Sequence, residues 1–352
     1  MTADHTRAGE RRRQTDRSVA GIAEVARTAG VSMMTVSRVI NDRPGVGDKT
    51  RERVRQVMKD LNFQPNTSAR ALKTGKASAV GIICLATTLY GPAVTLFGVE
   101  QAARAAGYAV NVISLNTITR ATLEQAMAQL SQVPVAVVVI ISPLSSSAES
   151  LRDLPGKLPT LAVWAPTDVG MSVAAVDHQH AAAAVTQHLL GLGHRTVHHV
   201  SGPAGWTGTE QRIEGWRTAL EAAGRPVPPP IEGDWTARSG FEAGLRLLDQ
   251  PDVTAVFAAN DQMALGVLRA ARVRRVEVPG QLSIVGYDDG PDSAYYSPPL
   301  TTVRQDFALI GERALWLALA KIGHSTPPTV DTLVEPELIV RETTAPPPAT
   351  LR

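Results

Sequence analysis

From Ala79 onward the chain alternates short, β-rich apolar runs with stretches of helical periodicity, and this alternation restricts the fold more than any other feature. The strand runs are Ala79–Leu85, Ala109–Ser114, Val135–Ile141, Thr160–Trp164, Thr196–Gly202, Ala255–Ala258 and Ser283–Tyr287. Between most of them, apolar spacing predicts helices over Thr95–Ala106, Arg120–Leu130, Ala181–Leu192, Glu210–Ala223, Ser239–Leu248 and Gln262–Ala271. Strands that alternate with helices form a mostly parallel sheet covered on both faces. Roughly 265 residues exceed one comfortable core, so two lobes are expected. Crossovers at Asp177–His178 and Val303–Phe307 divide them. The first lobe then comprises about residues 77–177 and 307–334, and the second about 178–306 and 335–344. The proline-rich tail, 345–352, is expected to be disordered.

The N-terminal quarter differs. Residues 1–76 hold 16 Lys+Arg against 8 Asp+Glu, while the remainder holds 19 against 25. A basic head on a mildly acidic body is the electrostatic outline of a nucleic-acid binder. Residues 1–18 read as a disordered basic tail and 19–65 as a three-helix unit. In that unit Ile22, Val25, Ala26 and Ala29 mark one apolar face, Val36, Val39 and Ile40 a second, and Val54, Val57, Met58 and Leu61 a third. Residues 66–76 read as a linker carrying a short hinge. No apolar run approaches the roughly 20 residues of a membrane-spanning helix. No secretory signal pattern opens the chain, and Cys84, the single cysteine, reads as a core residue, so a reducing cytoplasm is expected.

The segment from Ala26 to Val39 has helix-turn-helix chemistry. Gly30 permits the tight turn, Ala26 is small enough for close helix crossing, and Ser32 can cap the second helix. Such a helix enters the major groove by its N-terminal end. Ser32, Thr35 and Ser37 suit phosphate oxygens, Arg38 can fork onto guanine, and Met33 and Met34 can read only thymine methyls and groove shape. A plain three-helix bundle is the competing reading.

In open α/β sheets, ligands bind beyond the carboxyl ends of the strands. Asn260, Asp288 and Trp235 follow strand runs, and Arg212 falls in the first turn of a predicted helix. An amide, a carboxylate and a guanidinium suit vicinal hydroxyls, and an indole can lie against a sugar face. Helix capping by Asn260-Asp261 and surface charge at Arg212 are the alternatives. No phosphate-binding loop, zinc-protease motif or nucleophile elbow is present, so no enzyme and no cofactor are expected. His178-Gln179-His180 and His198-His199 have spacings that do not share a face, which argues against a metal site. A transport-associated sugar-binding protein would share the body but would not need the basic head.

Val31-Ser32-Met33-Met34-Thr35-Val36-Ser37-Arg38-Val39-Ile40-Asn41 resembles the recognition helix of the LacI/GalR family of bacterial repressors. Lys49–Val54 and Phe63-Gln64-Pro65-Asn66 resemble that family's third helix and hinge entry. The likeness continues through Gly202-Pro203, Gly215-Trp216, Gly233-Asp234-Trp235, Ala259–Gly266, Val285–Asp289 and Pro299–Phe307. It implies an α/β fold: a helix-turn-helix domain and hinge helix joined to a two-lobed, periplasmic-binding-protein-like body. By the resemblance, Asn41 belongs to the DNA-reading surface. Asn66, Ala69, Arg70 and Leu72 form a hinge helix on DNA, with Leu72 wedged into the minor groove. Arg212, Asn260 and Asp288 would bind effector hydroxyls, and Trp235 and Phe307 would form apolar walls. In the first lobe, Leu85, Arg104, Ile141 and Trp164 stand where galactoside-responsive members carry mostly polar pocket residues. The resemblance therefore implies a small-molecule effector, a sugar, without implying a galactoside. Tyr90, in the loop 87–92, would add contacts, and Trp164 favours a larger saccharide. The implied protein is a cytoplasmic homodimer that binds a palindromic operator and represses carbohydrate-utilisation genes.

Overall fold

The computed structural model describes residues 21–40, 42–63, 79–154, 158–165, 170–324 and 333–349. Asn41, Asn66, Ala69, Arg70 and Leu72, the tail 1–18 and the hinge 66–76 lie outside the described residues. The head and the body are separate compact units.

In the head, α1 (Ile22–Ala29) and α2 (Met33–Ile40) are joined through Gly30, whose φ of 62° is the left-handed conformation that the turn needs. The third helix, α3 (Asp48–Asp60), closes a core of Val25, Ala26, Ala29, Val36, Val39 and Val54. Ile22, expected on the inward face, is instead 36% exposed. It is the first helical residue, and its N-cap Gly21 offers no side chain to hold that end.

The body begins with β1 (Ala79–Leu85), α4 (Tyr90–Ala105), β2 (Ala109–Leu115), α5 (Arg120–Leu130) and β3 (Val135–Ile141). A 3-10 turn at Ser145–Ser147, α6 (Ala148–Arg152), β4 (Thr160–Val163) and β5 (Val173–Val176) complete this pass. The chain then crosses into α7 (His178–Gly191), β6 (His198–Ser201), α8 (Thr207–Ala222), β7 (Ile231–Glu232), α9 (Ala237–Leu248), β8 (Ala255–Ala258), α10 (Asp261–Arg274), β9 (Ser283–Val285) and β10 (Thr302–Arg304). It returns through α11 (Phe307–Ala320) and β11 (Leu333–Val334) and crosses a third time into β12 (Glu337–Ile339). The first sheet runs β11-β5-β4-β3-β1-β2 and the second β7-β6-β8-β9, all pairs parallel; β10 and β12 form a separate antiparallel pair. Aspartates cap the helices that follow two crossings: Asp177 accepts from His180 N and Asp306 from Leu309 N, each at 2.8 Å.

Three expectations change. Helix α4 starts at Tyr90, so Tyr90, Gly91 and Pro92 form its first turn instead of a loop; proline costs no helical hydrogen bond there. Helix α11, unanticipated, buries Phe307, Ile310, Gly311, Ala314, Leu315, Ala318 and Leu319 in the first-lobe core. It packs so closely on α4 that a Cβ on Gly98 would sit 2.4 Å from the Ala308 carbonyl oxygen. The tail is not disordered over 345–349. Ala345 N donates to Ser283 Oγ at 3.0 Å, Ala345 O accepts from Ser283 Oγ at 2.9 Å and lies 3.0 Å from His194 Nε2, and Pro347 is buried. Backbone groups with specific partners outweigh the proline-rich composition.

Candidate functional site

On the head, the first turn of α2 carries an unusual surface. Met33 and Met34 are 56% and 66% exposed, although apolar side chains of this size are ordinarily covered. Ser32 Oγ accepts from Thr35 N at 3.1 Å and lies 2.9 Å from Thr35 Oγ1, which fixes the helix start. Ser32 and Arg38 are exposed, while Thr35 and Ser37 are half-buried. Arg51 bonds both Asp42 Oδ1 at 2.7 Å and the Arg43 carbonyl at 3.0 Å, and Arg55 reaches Asp42 at 3.1 Å. These bonds hold the turn after α2.

In the body, both sheets change winding direction where β1 meets β3 and where β6 meets β8. At such switch points the following loops diverge and leave a crevice. Here the two crevices face one cleft of about 390 Å³. Each strand delivers its residues just past its carboxyl end: Thr88–Pro92 after β1, Pro143 after β3, Trp164 after β4, Trp206 and Arg212 after β6, Trp235 after β7, Asn260 after β8 and Asp288 after β9. Phe307 opens α11 and Gln305 lies in the crossover before it.

The first-lobe wall is aromatic. The Phe307 ring meets Tyr90 at 5.7 Å and Trp164 at 5.6 Å, both edge to face. On the second lobe, Trp206 meets Trp235 edge to face at 5.4 Å, and the Arg212 guanidinium lies 5.2 Å from Trp235 and 4.5 Å from Tyr287. Gly202 makes room for this arrangement, because a Cβ there would lie 2.1 Å from Trp235 Cη2. Trp164, Trp235 and Asp288 all adopt positive φ, at 62°, 71° and 114°. Non-glycine residues hold such angles where surrounding contacts over-determine them; Asn260 Nδ2 donates to the Trp235 carbonyl at 3.0 Å. The rims of the lobes also touch. Ser145 N donates to the Gly205 carbonyl and Thr207 N to the Pro143 carbonyl, both at 2.9 Å.

Electrostatics divides the polar residues. Burial pushes the Asp288 carboxyl up to about 8, against the pull of Arg212 and with a further rise from Asp261. Gln305 Nε2 donates to Asp288 Oδ1 at 2.7 Å. Burial, with Arg212 beside it, holds the His178 imidazole well below its ordinary range, so it is neutral and pairs through Nδ1 with Tyr287 Oη at 3.0 Å. Asp261 lies deeper; burial lifts it to about 6 despite donors from Ser293, Thr302 and Gly290. Trp164 Nε1, Trp235 Nε1, Arg212 Nε and Gln305 Oε1 are buried atoms with no protein partner.

Arg212, Trp235, Asn260, Asp288, Phe307, Tyr90 and Trp164 therefore line one cleft. Arg212 falls in the second turn of α8, not the first, because the helix begins at Thr207. Asn260 combines both readings: it lines the cleft and caps α10 by accepting from Met263 N at 2.8 Å. Leu85 and Ile141 are buried core residues, and Arg104 is exposed in the last turn of α4. Of those first-lobe positions, only Trp164 reaches the cleft, because the loops beyond the strands line it, not the strands themselves. His178, Trp206 and Gln305 escaped the sequence reading; Trp206 was findable as a residue past a strand end, His178 was not. His199 stacks on Phe257 at 4.6 Å with its Nδ1 2.9 Å from the Phe257 carbonyl, a packing role. Among the described residues, no group of three His, Cys, Asp or Glu could hold a metal, and no helix is long and apolar enough to cross a membrane.

A helix-turn-helix head followed by a two-lobed body with a ligand-sized cleft defines a class, the ligand-responsive transcription regulators. Residues 21–66 match the model of bacterial regulatory proteins of the lacI family, and 186–344 match a periplasmic binding protein-like domain. The chain is 32% identical to the lactose operon repressor of Escherichia coli K12 over 92% of this chain and 90% of that one. It is 30% identical to the ribose operon repressor of the same organism, over 88% and 94%. The lac repressor dimer bound to operator and the anti-inducer ONPF superposes with a TM-score of 0.82 at 31% identity, covering 93% of this chain and all of that one. The transcriptional regulator CelR in complex with cellobiose gives 0.66 at 29% identity, over 92% and 99%. The chain belongs to the LacI family. It is a DNA-binding transcriptional repressor, and its relatives are repressors, not enzymes.

Proposed function

We propose that the protein is a cytoplasmic homodimer that represses carbohydrate-utilisation genes from a palindromic operator, with its DNA affinity set by a saccharide held in the cleft. The observation that carries this reading is the composition of the cleft. Stacking surfaces from Tyr90, Trp164, Trp206, Trp235 and Phe307 stand around Arg212, Asn260, Asp288 and Gln305. Aromatic planes take the C–H faces of a sugar, and convergent donors and acceptors take its hydroxyls. The complexes of CelR with cellobiose and of the lac repressor with ONPG support the ligand class.

Both lobes line the cleft, so a ligand with different affinities for two interlobe angles shifts the balance between them. In a dimer that angle sets the spacing of the two hinges, where Asn66, Ala69, Arg70 and Leu72 would order on DNA beside the heads. Ser32, Met33, Met34, Thr35, Ser37, Arg38 and Asn41 would meet the operator. Effector and operator then change each other's affinity by one common factor. A thermal-shift screen against mono- and oligosaccharides tests the reading. A saccharide at 100 times its dissociation constant stabilises the body by about 2.7 kcal/mol, and Arg212→Ala abolishes the shift. The same saccharide changes the affinity for an operator selected from random duplexes. A panel that shifts nothing, or a shift indifferent to Arg212→Ala, overturns it.

A further inference from the structure

The cleft does not share its chemistry evenly between the lobes. His178, Arg212, Asn260, Asp288 and Gln305 belong to the second lobe and its connection, whereas the first lobe supplies Tyr90, Trp164 and Phe307, with Thr88 as its one other side chain able to hydrogen-bond. We propose that the effector is a saccharide of at least two rings: one pyranose is hydrogen-bonded by the second lobe, and a second ring lies with its C–H face on the Tyr90–Trp164–Phe307 wall. The proposal rests on the saccharide reading above.

Three observations converge on it. Edge-to-face packing of Phe307 on Tyr90 and Trp164 builds one continuous apolar surface. Its polar atoms are the Tyr90 hydroxyl and the Trp164 indole N–H, and the latter has no protein partner. Trp164 and Phe307 are only 9% and 4% exposed, so the part of that wall open to the cleft is small and centred on the half-buried Tyr90. A monosaccharide held by the second-lobe carboxyl and guanidinium leaves it in contact with water, whereas a second ring covers it. The size agrees, because about 390 Å³ lies in the range of clefts that enclose drug-sized ligands, larger than one hexose.

Trp206 supplies the third observation. Its ring packs edge-on against Trp235 at 5.4 Å, while its backbone bridges to Leu144 of the first lobe. Flanking hydrogen bonds, Ser145 N to the Gly205 carbonyl and Thr207 N to the Pro143 carbonyl, lie on either side of that bridge. Its position is thus fixed by both lobes at their junction. A ligand confined to one lobe has no use for an aromatic so placed; one that spans the junction passes it.

The test titrates the full chain with cellobiose, maltose, lactose, the methyl glycosides of glucose and galactose, and p-nitrophenyl glycosides. Thermal shift and tryptophan fluorescence report binding, since three of the five tryptophans line the cleft. One disaccharide is expected to bind at least 100-fold more tightly than the methyl glycosides of its component sugars. Trp164→Ala and, separately, Tyr90→Ala each lower that ratio at least tenfold. Tyr90 is half-buried, so its variant keeps the test decisive if Trp164→Ala fails to fold. Equal affinity for mono- and disaccharides overturns the two-ring proposal and leaves the saccharide reading intact. A p-nitrophenyl glycoside that matches every disaccharide overturns the second sugar in favour of a planar aglycone. If no saccharide binds, both readings fall together.

Discussion

Asp288→Asn removes one ionisable group from the cleft while preserving its shape. In the folded body Asp288 is lifted from 3.8 to about 8, chiefly by burial. The folded value exceeds the unfolded one, so the folded chain keeps a proton that the unfolded chain releases. The associated stability is therefore full below about pH 4 and drains away as pH rises through 8. At 1.36 kcal/mol per unit, the whole interval corresponds to about 6 kcal/mol, and the solvent that reaches the cleft wall reduces this to roughly half. Asp261, lifted to about 6, acts with the same sign but stops near that pH. The buried imidazoles of His178, His194 and His199 are depressed and act with the opposite sign, below their ordinary value of 6.5. His188 and His198 are depressed as well, and all of these imidazoles act alike in parent and variant, so the difference between the two profiles from pH 6.5 to 8.5 isolates Asp288. There the parent body should lose about 1 kcal/mol relative to the variant, equivalent to roughly 2–4 °C in melting temperature. Asp288→Asn should lack that loss and should not bind the saccharide. The assay is a thermal melt of the unliganded full chain in half-unit pH steps. Parallel profiles for parent and variant would refute the argument. Calorimetry in buffers of different ionisation enthalpy gives a second check: ligand hydroxyls that donate to the ionised carboxylate should expel close to one proton per site at pH 7.

Gly98→Ala should cost about 1–3 kcal/mol in urea unfolding by prising α11 off α4; an unchanged midpoint would mean the helices can slide apart freely. Trp216 is 1% exposed and donates from Nε1 to the Val197 carbonyl at 2.9 Å. Trp216→Ala should cost about 3–5 kcal/mol, whereas a loss under 1 kcal/mol would show that the pocket around it collapses. Replacing thymine by deoxyuridine in a selected operator should weaken binding by about 1 kcal/mol per methyl read by Met33 or Met34. Met34→Gln should be less sensitive to that change, and equal sensitivity would remove Met34 from the readout. Truncation after Thr344 deletes the Ala345 bonds to Ser283 and His194 and should lower body stability by about 1–3 kcal/mol; a melt identical to the parent would show the docked tail to be passive.

Much of the scaffold was legible because its signals are local. The runs Ala79–Leu85, Val135–Ile141 and Ala255–Ala258 and the helix Arg120–Leu130 have the same limits in sequence and structure. Each carries a clean period or an unbroken apolar run between turn residues. Arg212, Trp235, Asn260 and Asp288 could be singled out because parallel sheets bind ligands past their strand ends, and that position can be counted along a chain. Helix α11 could not be found this way. Sandwiched in the first lobe, it is apolar around most of its girth, and the 3.6-residue contrast that marks an amphipathic helix is lost. The short strands β5, β10, β11 and β12 likewise carry too few residues to show a period.

A basic helix-turn-helix head ahead of a parallel α/β body can be read along the chain alone, since charge, turn chemistry and periodicity are properties of neighbours in the chain. Which side chains share the cleft, and in what state, follows from the three-dimensional packing. Three crossings bring residues 90, 164, 206, 235, 288 and 307 together from opposite lobes, a juxtaposition that no local pattern encodes. The same convergence packs enough protein around the half-buried Asp288 and the buried His178 to keep a proton on one and off the other, because desolvation depends on every element packed around a group.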